Sequence, residues 1–256
     1  MNYLATATTD IGISKKTNQD SICIKIADTS EYGKIVMAVL CDGMGGLSKG
    51  ELASATVIRT LVNWFENILP IRLKNYNLQA IGVEWDRMLK ESNRHILEYG
   101  KKIKNNLGTT VSAMLIIESR YLIVHVGDSR VYQITDRIEQ LTEDHTFIAR
   151  EMKNGTMTQE QALVDPRRNM LLQCVGASRE VVPQVVYGDI HPNSVFMPCS
   201  DGFRHKISED EMFNYLNADA LTNIDVMNAN SRGLIEINKQ RMEKDNITVG
   251  LVKCIA

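Results

Sequence analysis

The chain has 256 residues, of which 44% are hydrophobic and 23% charged, with 29 basic and 31 acidic side chains giving a net charge of −2. This balance excludes a disordered chain, a collagen-like repeat and a disulfide miniprotein. The lack of a basic excess argues against a protein whose main task is to hold nucleic acid.

No run approaches the roughly 20 apolar residues that cross a bilayer. Residues 1–6 lack a basic region followed by an apolar run, so no export signal is expected and the chain reads as cytoplasmic, with no membrane partner. Cys23, Cys41, Cys174, Cys199 and Cys254 are odd in number and form no CxxC pair. They are expected to be reduced, mostly buried thiols. With no repeat, no low-complexity tract and no Pro/Ser-rich linker, a single domain over 1–256 is expected.

Taken in chain order, segment 21–27 alternates with period two and reads as a strand. Segment 34–41 is almost continuously apolar, as in a strand buried on both faces. Between Ser48 and Leu69, Ile58, Leu61, Val62, Phe65 and Leu69 recur at spacings of three and four, one face of a helix that Pro70 is expected to end. A second helix is expected within 80–104. Strands follow at 109–117, 121–126 and 130–135. Their short links, Glu118-Ser119-Arg120 and Gly127-Asp128-Ser129, predict antiparallel hairpin turns. Further strands are predicted at 181–187, 194–199 and 247–254. Helices are predicted at 209–216, with Ser208 as N-cap, and within 220–243. Hairpins interleaved with helices predict antiparallel sheets with helices packed outside.

Five aspartates sit at the ends of these strands: Asp20, Asp42, Asp128, Asp201 and Asp245. Asp-Gly is common in turns, so each alone is weak. Together, if they converge, they cannot all stay ionised without a cation. Oxygen ligands with no zinc-spaced Cys/His pair select a hard divalent ion, and two such ions are a standard device for phosphoryl chemistry.

Two other motifs do not hold. Residues 43–48 approach GxGxxG, but Ser48 replaces the third glycine and no strand with a terminal acid follows, so no dinucleotide cofactor is expected. Gly127-Asp128-Ser129 suggests an esterase nucleophile, but no histidine lies near the C-terminus to act as its base. His95, His125, His145 and His191 show no metal spacing.

The chain resembles the metal-dependent (type 2C) Ser/Thr protein phosphatases, in particular their bacterial branch. Gly12 to Asp20 is similar to the GxxRxxN(E/Q)D opening. Cys41-Asp42-Gly43-Met44-Gly45-Gly46 is similar to DGMGG, and Leu107-Gly108-Thr109-Thr110 to the GTT strand start. Val126-Gly127-Asp128-Ser129-Arg130-Val131-Tyr132 resembles VGDSRxY, and Leu141 to His145 resembles LTxDH. Arg168-Asn169 to Val175-Gly176 is similar to RN…LG, Cys199-Ser200-Asp201-Gly202 to SDG, and Asp245-Asn246-Ile247-Thr248 to DNxT.

The resemblance implies an α+β fold, a four-layer α-β-β-α sandwich of two antiparallel sheets flanked by helices. It implies hydrolysis of phosphoserine and phosphothreonine by a metal-bridging water or hydroxide, with Mn²⁺ or Mg²⁺ as cofactor. Asp42 would bridge two ions, the Gly43 carbonyl would bind one, and Asp201 and Asp245 would complete the other. Asp128 with Asp201 would hold a third, weaker ion, and Asp20 would act through bound water. Lys15 stands where the family has a phosphate-binding Arg, a point charge in place of a bidentate fork. Met44 stands where some relatives carry a His acid, which leaves the general acid unnamed. Segment 147–177, with Arg150, Lys153, Arg167 and Arg168, would be a flap beside the site. Partners would be phosphorylated substrates of a Ser/Thr kinase, met by a monomer. A catalytically inactive, phosphoprotein-binding member and a hydrolase of small phosphoesters are the competing readings.

Overall fold

The computed structural model describes residues 1–44 and 49–255. It contains two five-stranded antiparallel sheets. The first joins β1 (Asn2–Asp10), β10 (Ile247–Ile255), β9 (Val195–Cys199), β6 (Arg130–Ile134) and β7 (Ile138–Gln140), in that order. The second joins β2 (Ser21–Thr29), β3 (Gly33–Cys41), β4 (Val111–Ile117), β5 (Arg120–Val126) and β8 (Gln184–Asp189).

Period-two alternation distributes the side chains between layers. In β3, Ile35, Met37, Val39 and Cys41 face a core shared with α1 (Gly50–Asn63) and α3 (Leu78–Ile103), while Val36 and Ala38 face the other sheet. Tyr3, Met114, Ile123, Phe196 and Val252 complete that inter-sheet layer. On the far side, Tyr132, Met197, Val249 and Leu251 pack against α6 (Asp201–Arg204), α7 (Glu209–Leu216) and α8 (Ile224–Gln240). Helices therefore cover both outer faces, and β3 is buried on both of its faces, which is why its sequence does not alternate. Ser208 caps α7 in a reciprocal box with Glu211, as its position predicted.

Pro70 does not end the first helix. A π-helical turn, Trp64–Ile68, follows α1, and α2 (Leu69–Leu73) restarts with Pro70 in its first turn, where a missing N–H costs little. The last helix is shorter than the 220–243 window, beginning after an Asn223 cap. The strand expected at 181–187 lies at Gln184–Asp189. Strand β1, which had no apolar signal, runs in register along β10 from Asn2↔Ile255 to Asp10↔Ile247. The part of the first helix and of the glycine motif at 45–48 lies outside the described residues.

The Glu118-Ser119 link is the expected hairpin, closing Ile117↔Arg120. The Gly127-Asp128-Ser129 link is not a hairpin: β5 belongs to one sheet and β6 to the other. Here the chain crosses between sheets, with Gly127 at φ 116, a conformation side chains rarely adopt. A Cβ there would meet the Thr110 side chain at 2.6 Å. Gly127→Ala is expected to destabilise the fold by about 2–3 kcal/mol, read as a lower denaturant midpoint.

Candidate metal centre

Strand register puts the aspartates together. Ser21 pairs with Cys41, so Asp20 and Asp42 are the next residues out at one end of their sheet. The Asp42 main chain is pinned: its N–H donates to Thr110 Oγ1 (3.0 Å), and its carbonyl accepts from Thr110 N–H (2.9 Å) and Thr109 Oγ1 (3.0 Å). Gly43 N–H donates to the Gln19 carbonyl at 3.1 Å, and a Cβ on Gly43 would lie 2.5 Å from that oxygen, so only glycine fits.

The other sheet supplies Asp201 and Asp245. Cys199 pairs with both Arg130 and Val249, which aligns the ends of β9, β6 and β10. Asp201 opens α6, and a Cβ on Gly202 would lie 2.2 Å from the Asn246 carbonyl and 3.4 Å from the Asp245 Cβ. The glycine lets α6 rest directly on the Asp245-Asn246 segment. Asn246 then ties in the opening segment: its Nδ2 donates to the Ile11 (2.9 Å) and Thr17 (3.3 Å) carbonyls, and its Oδ1 accepts from Gln19 N–H (2.9 Å). Asp128 projects from the crossover between the sheets. That crossover is held by two histidines, His125 Nε2 against the Gly127 carbonyl (3.0 Å) and His145 Nδ1 accepting from Gly127 N–H (3.2 Å). Burial pushes His125 down to about 4, so it is a neutral structural group.

The electrostatics report the convergence. Burial, followed by the charges of Asp20, Asp201, Asp128 and Asp245, drives the Asp42 carboxyl well above the usual carboxylate range. Burial, and the charge of Asp201, push Asp20 up to about 6. The same two causes push Asp128 up to about 7. Lys15 Nζ stands 2.7 Å from Asp245 Oδ1. Burial works against its charge, but Asp245, Asp42 and Asp201 outweigh it and raise its pKa above the ordinary lysine value.

Both carboxylate oxygens of Asp20 and Oδ1 of Asp201 are buried with no hydrogen-bond partner. Buried acceptors without donors are costly, and carboxylate oxygens in this state suit a hard cation. Among the described residues, no three Asp, Glu, His or Cys side chains are drawn into a closed set around one point. The cluster is gathered and repelling, with Lys15 as its cation.

Of the supporting residues, Arg130 and Asp144 lie in the VGDSRxY-like and LTxDH-like segments, whereas Arg204 and Glu243 carried no signal in the sequence. Arg130 forks onto Asp144 through two 2.8 Å bonds. Arg204 Nη2 donates to the Asp128 carbonyl at 3.0 Å. Glu243, buried behind Asp245, accepts the Lys244 (2.7 Å) and Asp245 (2.9 Å) N–H groups. Four of the five cysteines are buried, Cys23 is half-buried, and all are free.

A family model, Protein phosphatase 2C, matches residues 13–231. The chain belongs to that family. It is 30% identical over 246 residues to a putative protein phosphatase 2C-type of Streptococcus pyogenes, covering 95% of this chain and 94% of the relative. It is 30% identical over 226 residues to the serine/threonine phosphatase stp of Listeria monocytogenes, covering 85% and 84%. Among solved structures, the serine/threonine phosphatase of S. agalactiae superposes with a TM-score of 0.84 at 28% identity, covering 100% of each chain. The catalytic domain of PstP, in complex with 2 manganese ions, superposes with a TM-score of 0.78 at 25% identity over 99% of each chain.

Proposed function

We infer that this chain is a metal-dependent protein serine/threonine phosphatase that hydrolyses phosphoserine and phosphothreonine. The observation that carries the site assignment is the set of buried, unpartnered carboxylate oxygens on Asp20 and Asp201 beside an Asp42 whose ionisation every other aspartate of the cluster opposes. Asp42, Asp201, Asp245 and the Gly43 carbonyl, with Asp20 acting through water, would hold two core Mn²⁺ or Mg²⁺ ions. Asp128 with Asp201 would hold a third, weaker one. Such ions, when bound, make water nucleophilic at neutral pH and neutralise charge on the phosphoryl oxygens.

The chain's own groups then have distinct tasks. Lys15, at the rim beside Asp245, offers its ammonium to the substrate phosphate. Thr109 and Thr110 fix the direction of Asp42, and Asn246 holds the Lys15 segment against the strand that follows Asp245. Segment 147–177, with α4 (Phe147–Lys153) and α5 (Gln159–Val164), is the flap of a single domain. Substrates are proteins phosphorylated by a Ser/Thr kinase, met by a cytoplasmic monomer that holds neither nucleic acid nor membrane. The net charge of −2 supports the absence of a nucleic-acid partner, and no helix of the described residues is long and apolar enough to cross a membrane.

The test is phosphate release from a phosphothreonine peptide with Mn²⁺, with Mg²⁺ and with chelator. Release that the chelator abolishes is expected. No release with either ion would point to a phosphoprotein-binding module, and release from small esters only would point to a small-molecule hydrolase. Lys15→Arg is expected to leave kcat intact and to lower KM for the phosphopeptide, because a fork replaces a point charge. A loss of about tenfold or more in kcat/KM would show that Lys15 does something a guanidinium cannot.

A further inference from the structure

Asn93 lies on α3 with 2% of its surface exposed, in the helix face that also buries Leu89 and Ile96 in the core. An amide in such a place is costly unless it is hydrogen-bonded. Asn93 directs both ends of its side chain to one segment, more than 80 residues away in the chain. Its Oδ1 accepts from Gly176 N–H at 2.7 Å, and its Nδ2 donates to the Ser178 carbonyl at 3.0 Å. That segment is a turn closed on itself. Cys174 N–H donates to Ser178 Oγ at 2.8 Å, and Ser178 N–H donates to the Cys174 carbonyl at 3.2 Å. Gly176 has φ 95, and a Cβ there would meet Ile96 Cγ2 at 2.4 Å, so the turn rests directly on α3.

The other side of the turn reaches the acidic cluster. Val175 and Thr109 exchange two main-chain hydrogen bonds of 2.9 Å each, and both residues are fully buried. Thr109 in turn bridges to Gly43, and its Oγ1 donates to the Asp42 carbonyl at 3.0 Å. Backbone from three distant parts of the chain therefore lies side by side in the order Gly43, Thr109, Val175. One helix side chain closes that stack from outside. Without the Asn93 amide the buried Gly176 N–H would lose its acceptor, and the turn would lose both bonds that fix it to α3.

We infer that Asn93 is a positioning residue for the proposed metal centre. It fixes the turn at 174–178, the turn holds Thr109, and Thr109 sets the direction of Asp42 and of the Gly43 carbonyl. The inference rests on the phosphatase reading above. It makes the end of segment 147–177 part of the frame of the centre, since this end is fastened on both sides. Asn93 makes no bond to a proposed ligand, so its effect falls on ion binding and on kcat, not on substrate binding.

The experiment compares wild-type protein with Asn93→Leu and Asn93→Asp, below the lowest melting temperature of the set, using Mn²⁺ and a phosphothreonine peptide. Leucine removes both bonds at similar volume. Aspartate keeps the Gly176 bond and turns the Ser178 donor into an acceptor. In Asn93→Leu, Mn²⁺ affinity by calorimetry and kcat at saturating Mn²⁺ are each expected to fall by about tenfold, with KM nearly unchanged. Amide hydrogen exchange at 107–111 and 173–178 is expected to quicken, and exchange along α3 to stay the same. Asn93→Asp is expected to show the same pattern at smaller size, and it carries the test if the leucine variant does not fold. Leu89→Val, one turn earlier on α3, is expected to lower the melting temperature while leaving Mn²⁺ affinity, kcat and exchange at 107–111 unchanged. The inference is overturned by unchanged Mn²⁺ affinity and kcat in both Asn93 variants, by a loss that Leu89→Val shares, or by a loss carried by KM alone. Wild-type protein that binds no Mn²⁺ and releases no phosphate would overturn the phosphatase reading instead, and exchange at 107–111 would still decide whether Asn93 holds Thr109.

Discussion

Replacing Asp42 with Asn is expected to cut phosphate release from a phosphothreonine peptide on the order of 10³-fold, while raising the melting temperature of the metal-free protein. The two effects have one origin. Asp42 is the residue on which all four other aspartates act, and together with burial they drive its carboxyl well above the ordinary range. Asparagine keeps the shape and both main-chain anchors at Thr109 and Thr110, so the strand end need not move. Asparagine is neutral at every pH, so folding no longer bears the cost of protonating a carboxyl, or of burying it ionised among the others, when no cation is present. It also removes the anionic ligand proposed to lie between the two core ions. Phosphate release and scanning calorimetry in chelator read both sides. If Asp42 were only a turn residue, release would persist and stability would hold or fall. A mutant that is both active and less stable would therefore sink the site assignment.

What the sequence disclosed and what it withheld follow from the range of the interactions involved. The strand-end position of each aspartate was legible, because apolar runs and Asp-Gly breaks are local. The continuous apolar run of β3 correctly signalled burial on both faces. Sheet membership was not legible. Gly127-Asp128-Ser129 has the length and composition of a hairpin, and only the packing of two sheets makes it a crossover. The difference bears on the proposed site, since on the crossover Asp128 acts on carboxylates of both sheets, Asp42 on one side and Asp201 on the other. Strand β1 escaped notice because it is an edge strand of Thr and Ala whose order comes from its pairing with β10 across the whole length of the chain. Pro70 misled because a π turn restarts the helix just before it. Asn246 stood in the DNxT-like segment, but the partners of the residues that aim the aspartates were hidden. Asn246 fastens Ile11, Thr17 and Gln19, and Arg204 reaches back to Asp128; such links have no periodicity to betray them.

The metal-free protein is expected to lose melting temperature as pH rises from about 6.5 to about 8, and Mn²⁺ is expected to restore it at the upper end. Asp128 is pushed up to about 7, and Asp42 is driven well above the usual carboxylate range, by burial and by neighbouring carboxylates. A group whose folded pKa is raised leaves the folded state holding more protons than the unfolded one. Its contribution is complete below the unfolded value and is lost as pH climbs through the folded value. Asp20, pushed up to about 6, adds to the same loss slightly earlier. His125, lowered by burial to about 4, and His145, lowered by burial as well, have the opposite sign, but their contribution is complete once pH passes the ordinary histidine value of 6.5. Glu211, held down to about 2 by Arg241, has finished far below this window. Glu243, where the His205 hydrogen bond outweighs burial, has also finished there. His205, raised because Glu243 and Asp201 outweigh its burial, loses stability in the same direction as the aspartates. Between about 6.5 and 8 the slope therefore belongs chiefly to the acidic cluster, and Asp128→Asn should flatten it. Because the ligands must be ionised to hold a cation, apparent Mn²⁺ affinity should tighten across the same interval. A melting temperature that climbs with pH in chelator would mean that the carboxylates do not face one another.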